Sequence, residues 1–240
     1  IEGADAIRRL IADGINVNVT LLFAIEAHER VIDAFIGGLE DRVAQGKAVA
    51  KIASVASFFV SRVDSAIDKQ LDTMAATEKD GGRKEALLAL CGKAAIANAK
   101  LAYRLFTKKF SGARWDALAS KGALPQRPLW ASTSTKNPHY RDVMYVEELA
   151  GPDTVNTLPP ATLEAFRDHG EAHVTVDVGV DEAERVLAQL EAHGVSLNKV
   201  TEQLLKEGLA SFEQSFVTLQ AGLERKRAAL NAATTNGANA

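Results

Sequence analysis

The sequence predicts an α/β fold of parallel βα units, either doubly wound or closed as a barrel. Four short apolar, β-branched or aromatic runs read as strands, at residues 15–23, 51–60, 127–133 and 154–158. Stretches with apolar residues at helical spacing separate them, and such alternation is the pattern of a parallel sheet. The length of 240 residues suffices for one large domain with a sizeable core.

The elements follow in order. Residues 1–12 already read as a helix, with Ile7, Leu10 and Ile11 on one face and Gly14 as a C-terminal stop. Because this pattern opens at residue one, an Ile, the chain is expected to be a truncated piece. In the first strand Asn16, Asn18 and Thr20 recur at period two, so one face is polar. Residues 27–45 are helical, with Val31, Ile32, Phe35 and Leu39 spaced for burial. Ile52, Val55, Phe58 and Phe59 mark the second strand. A helix over 64–77, a charged loop at 79–82 and one long helix over 85–110 come next. After the third strand, 141–149 forms a short helix, and Pro159-Pro160 closes the fourth strand ahead of a helix reaching 169. Residues 173–180 alternate briefly, as a strand or an extended connection. Helices are expected at 181–193 and 198–230, and the small polar tail 231–240 is expected to be disordered.

Composition excludes several functions. A net charge of −3 provides no basic field for nucleic acid or an anionic membrane. No apolar run approaches the roughly 18 residues of a membrane span. The single cysteine, Cys91, excludes an intrachain disulfide; it reads as a small buried thiol and fits a reduced, cytoplasmic setting. The five histidines lack metal-ligand spacing, since Gly170 interrupts the helical interval between His169 and His173. No glycine-rich phosphate loop or dinucleotide fingerprint is present. Trp115 and Trp130 read as packing residues, and the basic run at 225–227 as a solvated helix end.

In parallel α/β proteins reactive groups gather at the C-terminal ends of strands. The Asn16, Asn18 and Thr20 face is either a satisfied polar patch or a means of positioning substrate and water. Ser57, Phe59 and Arg62 stand at the end of the second strand. Arg62 can grip a phosphate through its planar fork or pair with Asp64 or Asp68. Ser132 and Lys136 lie in a hydroxyl-rich loop after the third strand, which suits an anion or a plain polar turn.

Four segments together resemble transaldolases. Residues 14–23 (GINVNVTLLF) are similar to the family's fifth-strand signature and 54–64 (SVASFFVSRVD) to its sixth. Residues 128–138 (PLWASTSTKNP) resemble the seventh and 151–160 (GPDTVNTLPP) the eighth, in an order and spacing close to the actinobacterial branch. The resemblance implies a partial (β/α)8 TIM barrel of class I aldolase type: strands five to eight plus C-terminal helices, in one domain over 1–230. It implies transfer of a dihydroxyacetone unit between sugar phosphates through a lysine Schiff base, with no metal or organic cofactor. A fructose-6-phosphate aldolase-like lyase and a non-catalytic half-barrel are the alternatives.

By motif, Asn18 corresponds to the asparagine that bonds the dihydroxyacetone moiety and Thr20 to the threonine that orients a water. Ser57 and Phe59 correspond to pocket positions, and Arg62 and Ser132 to the phosphate site. Lys136 is read as a phosphate cation where many relatives carry Ser-Phe-Arg. Glu2-Gly3 resembles the pair that follows the catalytic lysine, so that lysine, the first-strand aspartate and the third-strand glutamate are expected upstream of Ile1. The chain alone is therefore expected to be inactive. Four strands cannot close as eight do, so instability or self-association is expected as well.

Overall fold

A computed structural model of the chain describes residues 2–237, and the side chains of residues 3–230. The elements are α1 (Glu2–Asp13), β1 (Val17–Leu22), α2 (Ile25–Ala44), β2 (Ser54–Phe59) and α3 (Ser61–Thr77). Then come α4 (Gly81–Leu88), α5 (Ala94–Lys109), α6 (Ala113–Ala119), β3 (Arg127–Ala131) and α7 (Met144–Glu148). The chain ends with β4 (Val155–Asn156), α8 (Pro160–His169), α9 (Val180–Ala192) and α10 (Leu197–Gly237). The four strands form one parallel sheet in the order β1-β2-β3-β4, so each strand pairs with its sequence neighbour across a helical connection. β1 and β4 are the edges.

Register sorts the side chains onto two faces. Asn18 stands opposite Val55 and Val55 opposite Arg127; one residue along, Ala56 stands opposite Pro128. The face carrying Ala56, Phe58 and Trp130 is fully covered by helices. There the Phe58 and Trp130 rings meet edge to face at 6.2 Å, and the Trp130 indole donates to the Leu149 carbonyl at 2.8 Å. Ile32, Phe35 and Leu39 of α2 and Val63, Ile67 and Leu71 of α3 complete this core. Each such side chain contributes roughly 1.5–3 kcal/mol relative to exposure. On the opposite face Asn18 and Thr20 are exposed, and Val55 and Phe59 are half-buried.

α1 crosses α2 at Gly38, where a Cβ would stand 2.6 Å from the Arg8 carbonyl oxygen and 2.8 Å from the Ile11 side chain. Only glycine permits that approach. Arg8 closes the exposed side of the crossing with a fork to Asp41 at 2.6 and 2.8 Å.

Several expectations need correction. The long helix over 85–110 is two helices, α4 and α5, broken at Gly92 (φ 74°). Alanine-rich periodicity concealed the break, which the Asp68 carboxylate stabilises by accepting from the Gly92 amide at 3.0 Å. The loop at 79–82 is shorter, because Asp80 caps the Arg83 amide at 2.9 Å and starts α4 at Gly81. α6 was not anticipated, and α3 begins at Ser61 rather than 64. Residues 173–180 form no strand. The Thr175 and Val176 amides both donate to the Ala150 carbonyl, and a turn leads into α9. α10 continues to Gly237 through most of the expected tail, and 238–240 lie outside the described residues. Among the described residues no helix is long and apolar enough to cross a membrane.

His28 of α2 is fully buried against the Phe58 ring, 5.7 Å away, and neither ring nitrogen has a hydrogen-bond partner. Burial lowers its pKa from 6.5 to about 4. The folded chain keeps the ring neutral where the unfolded chain would protonate it. The resulting stability is full above pH 6.5 and is lost as pH falls toward 4. His28→Leu should remove this loss. Urea titrations at pH 7 and pH 4 should find the variant gaining about 3 kcal/mol on the unaltered chain between those two pH values.

Candidate functional site

The uncovered face of the sheet and the strand tips beyond it carry the candidate residues. On β1, Asn18 accepts from the Ser57 hydroxyl of β2 at 2.8 Å. Asn16 has a different role: its side chain accepts from the Ala53 amide at 2.9 Å, at the N-terminal end of β2. Asn16 and Asn18 line a cavity of about 550 Å³ with Val55, Arg127 and Asp153. Thr20 is exposed, and its side chain has no hydrogen-bond partner among the described residues. Immediately after it the pairing with β2 is irregular, and Leu21 takes a positive φ of 60°. This bulge bends the strand and brings the Phe23 ring to 5.1 Å from Phe59.

Arg62 occupies the first turn of α3, directly after β2. Its guanidinium lies over the Phe59 ring, 5.1 Å from the centroid, in cation–π geometry. Beside it the tips of β2 and β3 are laced together. The Val60 amide donates to the Ala131 carbonyl at 2.9 Å, the Ser61 amide to the Ser132 carbonyl at 3.0 Å, and the two serine hydroxyls meet at 2.9 Å. Ser132 holds a left-handed φ of 58° to do this. For a non-glycine residue that conformation costs about 1–3 kcal/mol and persists where its surroundings enforce it. The lacing extends to β4 through Thr133, which donates to the Asn156 side chain at 2.7 Å.

The ion pair from Arg62 to Asp64 or Asp68, left open by the sequence, is absent; other donors hold both carboxylates. Asp64 accepts from the Ala95 amide and the Tyr145 hydroxyl, each at 2.7 Å. Asp68 accepts from the Gly92 amide at 3.0 Å and the Tyr140 hydroxyl at 2.7 Å. Burial pushes the Asp64 carboxyl up to about 7, against the pull of the Ala95 amide and the Tyr145 hydroxyl. Asp68 is raised as well, by burial, and burial raises both tyrosines, which remain donors. The sequence carries no sign of these aspartate–tyrosine pairs, because their members lie more than 70 residues apart.

Lys136 is not joined to Arg62 by any described contact. It donates to the Ser134 hydroxyl at 2.7 Å and lines a cleft of about 360 Å³ with Asp64, Asp68, Asp72 and Tyr140. Asn18 and Ser57 thus form one pair, Phe59 and Arg62 a second, and Ser132 joins Ser61 beside them, while Lys136 stands on the flank of α3. Cys91 is half-buried, and burial together with Asp68, Asp72 and Asp64 pushes its thiol up to about 11, so it stays protonated and unreactive at neutral pH. Among the described residues no group of three His, Cys, Asp or Glu side chains could hold a metal.

This is a parallel α/β protein with arginine and serine donors gathered at adjacent strand tips. Residues 1–223 match the family described as Transaldolase/Fructose-6-phosphate aldolase, and the chain belongs to that family. It is 51% identical over 227 residues to a protein of Nostoc sp. named Transaldolase 2, covering 93% of this chain and 60% of that one. A transaldolase of Frankia alni is 50% identical over 216 residues, 90% of this chain and 56% of that one. A transaldolase of Renibacterium salmoninarum is 48% identical over 238 residues, 99% of this chain and 61% of that one. The chain therefore spans about 60% of the length of the relatives it matches.

Asp64 carries a pH dependence opposite in sign to that of His28. Its folded pKa of about 7 lies above the ordinary 3.8, so its contribution is full below pH 3.8 and lost as pH rises through 7. Asp64→Asn keeps an acceptor for Tyr145 and does not titrate. The stability of the unaltered chain relative to this variant should fall by about 4 kcal/mol from pH 4 to pH 8, as measured by urea unfolding.

Proposed function

We propose that this chain forms the phosphate-gripping side of a transaldolase, which moves a dihydroxyacetone unit between sugar phosphates through a lysine Schiff base. The observation that carries the reading is Arg62, held over Phe59 at a strand tip while Asp64 and Asp68 are engaged by tyrosines and backbone amides. An arginine with no carboxylate partner beside two serine hydroxyls and the start of a helix suits a phosphate dianion. Membership in the transaldolase family supplies the matching substrate class.

In this reading the four strands are the fifth to eighth of a (β/α)8 barrel, and residues 1–230 belong to one barrel domain. Asn18 and Ser57, already paired, bond the hydroxyls of the dihydroxyacetone unit, and exposed Thr20 orients a water. Phe59 walls the pocket, Arg62 and Ser132 hold the phosphate, and Lys136 adds a cation from the loop after β3. The imine chemistry comes from a lysine that is not among these 240 residues. That imine acts as an electron sink, so the carbon–carbon bond can break without a metal or organic cofactor. The setting is cytoplasmic. A lyase acting on fructose 6-phosphate without an acceptor sugar is the second reading, since the family description spans both activities.

Titration calorimetry tests the phosphate grip. Fructose 6-phosphate and inorganic phosphate should compete for one site, and Arg62→Ala should weaken both by about 2 kcal/mol, roughly thirtyfold in Kd. Arg62→Lys should recover part of the loss, because a point charge replaces a fork. Equal binding of unphosphorylated fructose would sink the assignment. Borohydride reduction in the presence of fructose 6-phosphate tests the missing anchor. Mass spectrometry should find no sugar adduct on any lysine, and an adduct on Lys136 would recast that residue as the Schiff-base former.

A further inference from the structure

Asn98 of α5 is fully buried, flanked on its helix by buried Ala94, Ala95, Ala97, Ala99 and Ala102. Its Nδ2 donates to the Phe23 carbonyl at 2.8 Å, and its Oδ1 has no hydrogen-bond partner among the described residues. A carbonyl can only accept, so the amide is oriented with its nitrogen toward Phe23. An amide with one polar atom unpaired costs more to bury than an aliphatic side chain of similar size. Packing alone therefore does not account for Asn98, and its bond to Phe23 is the informative contact. The alanines around it let α5 approach closely enough for so short a side chain to reach a strand end 75 positions away in sequence.

Phe23 stands one residue past β1, where the last pair of the β1–β2 register is Leu22 with Phe58 and the chain turns toward α2. From Phe23 the contacts run on to the strand tip. Its ring lies 5.1 Å from Phe59, and the Arg62 guanidinium lies 5.1 Å from the Phe59 centroid. The path closes on itself. Arg62 is in the first turn of α3, and Asp64, two residues on, accepts from the Ala95 amide at 2.7 Å, one turn of α5 before Asn98. α5 is thus tied both to the helix that carries Arg62 and to the aromatic pair beneath its guanidinium. We propose that Asn98 is a positioning residue for Arg62: it fixes Phe23, and through the Phe23 and Phe59 rings it sets where the guanidinium is presented. Its effect on ligand rests on Arg62 being the phosphate ligand.

Proton–nitrogen NMR of the full chain tests this. An Nε–H group over an aromatic face is shifted upfield, so Phe59→Leu, which removes the ring, marks the Arg62 signal and its unsupported position. Asn98→Leu, similar in size and without a donor, should move the signal toward that position. Phe23→Leu, which keeps the amide and breaks the path one step later, should do the same. Leu118→Ala, a core truncation on α6, should lower urea stability and leave the signal in place, so that loss of stability alone does not imitate the effect. In calorimetry Asn98→Leu should weaken binding of inorganic phosphate about five- to tenfold, and it should add no further loss in an Arg62→Ala background. An Arg62 signal unmoved in Asn98→Leu and Phe23→Leu overturns the proposal. So does an undiminished loss of phosphate affinity in the Arg62→Ala background. If the unaltered chain binds no phosphate, the phosphate grip itself falls, while the Arg62 signal still decides whether Asn98 positions that side chain.

Discussion

The buried carboxylate of Asp64 ties three distant segments into one frame. It sits on α3, takes a proton donor from the first turn of α5, and takes a second from Tyr145 on α7. Removing water from a carboxylate is costly, and these two donors offset part of that cost. Asp68 repeats the arrangement one turn later with Gly92 and Tyr140. Together they fix the long excursion between β2 and β3 against the body and hold α3 at a set angle to the sheet. Arg62 gains its position from this frame. Asp64 and Asp68 on its own helix are turned inward and engaged, and its guanidinium lies over Phe59.

The two faces of the sheet differ in burial and polarity. Phe58 and Trp130 fill the covered face with a ring pair and leave no polar atom of the indole unbonded. The other face keeps Asn18 and Thr20 accessible, and hydrogen bonds across strand tips set its geometry without an apolar layer. Those cross-strand bonds need β1, β2 and β3 in fixed register. The strained backbone at Ser132 is tolerated because the Val60 and Ser61 amides both anchor to it and its neighbour. The two sheet edges are managed differently: β4 is only two residues long, and β1 is interrupted by the irregularity at Leu21.

Much of this was legible in the sequence because it is local. The β-branched and aromatic composition of 51–60 locates β2, and the period-two polar residues of 15–23 place Asn18 and Thr20 on one face, which the structure leaves exposed. Arg62 was legible as an anion ligand or an ion-pair partner, and the fold removes the ion pair to Asp64 or Asp68, because tyrosines far along the chain engage both carboxylates. The break at Gly92 was hidden because Ala89 to Ala95 has the composition of a continuous helix, and a tertiary contact from Asp68 selects the turn. Lys136 looked like a companion to Arg62 because both follow strands. The loop after β3 sets it in a cleft along α3, the helix that also carries Arg62, and Asp64, Asp68 and Asp72 line that cleft too.

The strand order has a consequence for how the chain assembles. Because β1, β2, β3 and β4 lie side by side in the order of synthesis, β2, β3 and β4 each find a pairing partner already made as they emerge from a ribosome, and nascent sheet growth can proceed in one direction.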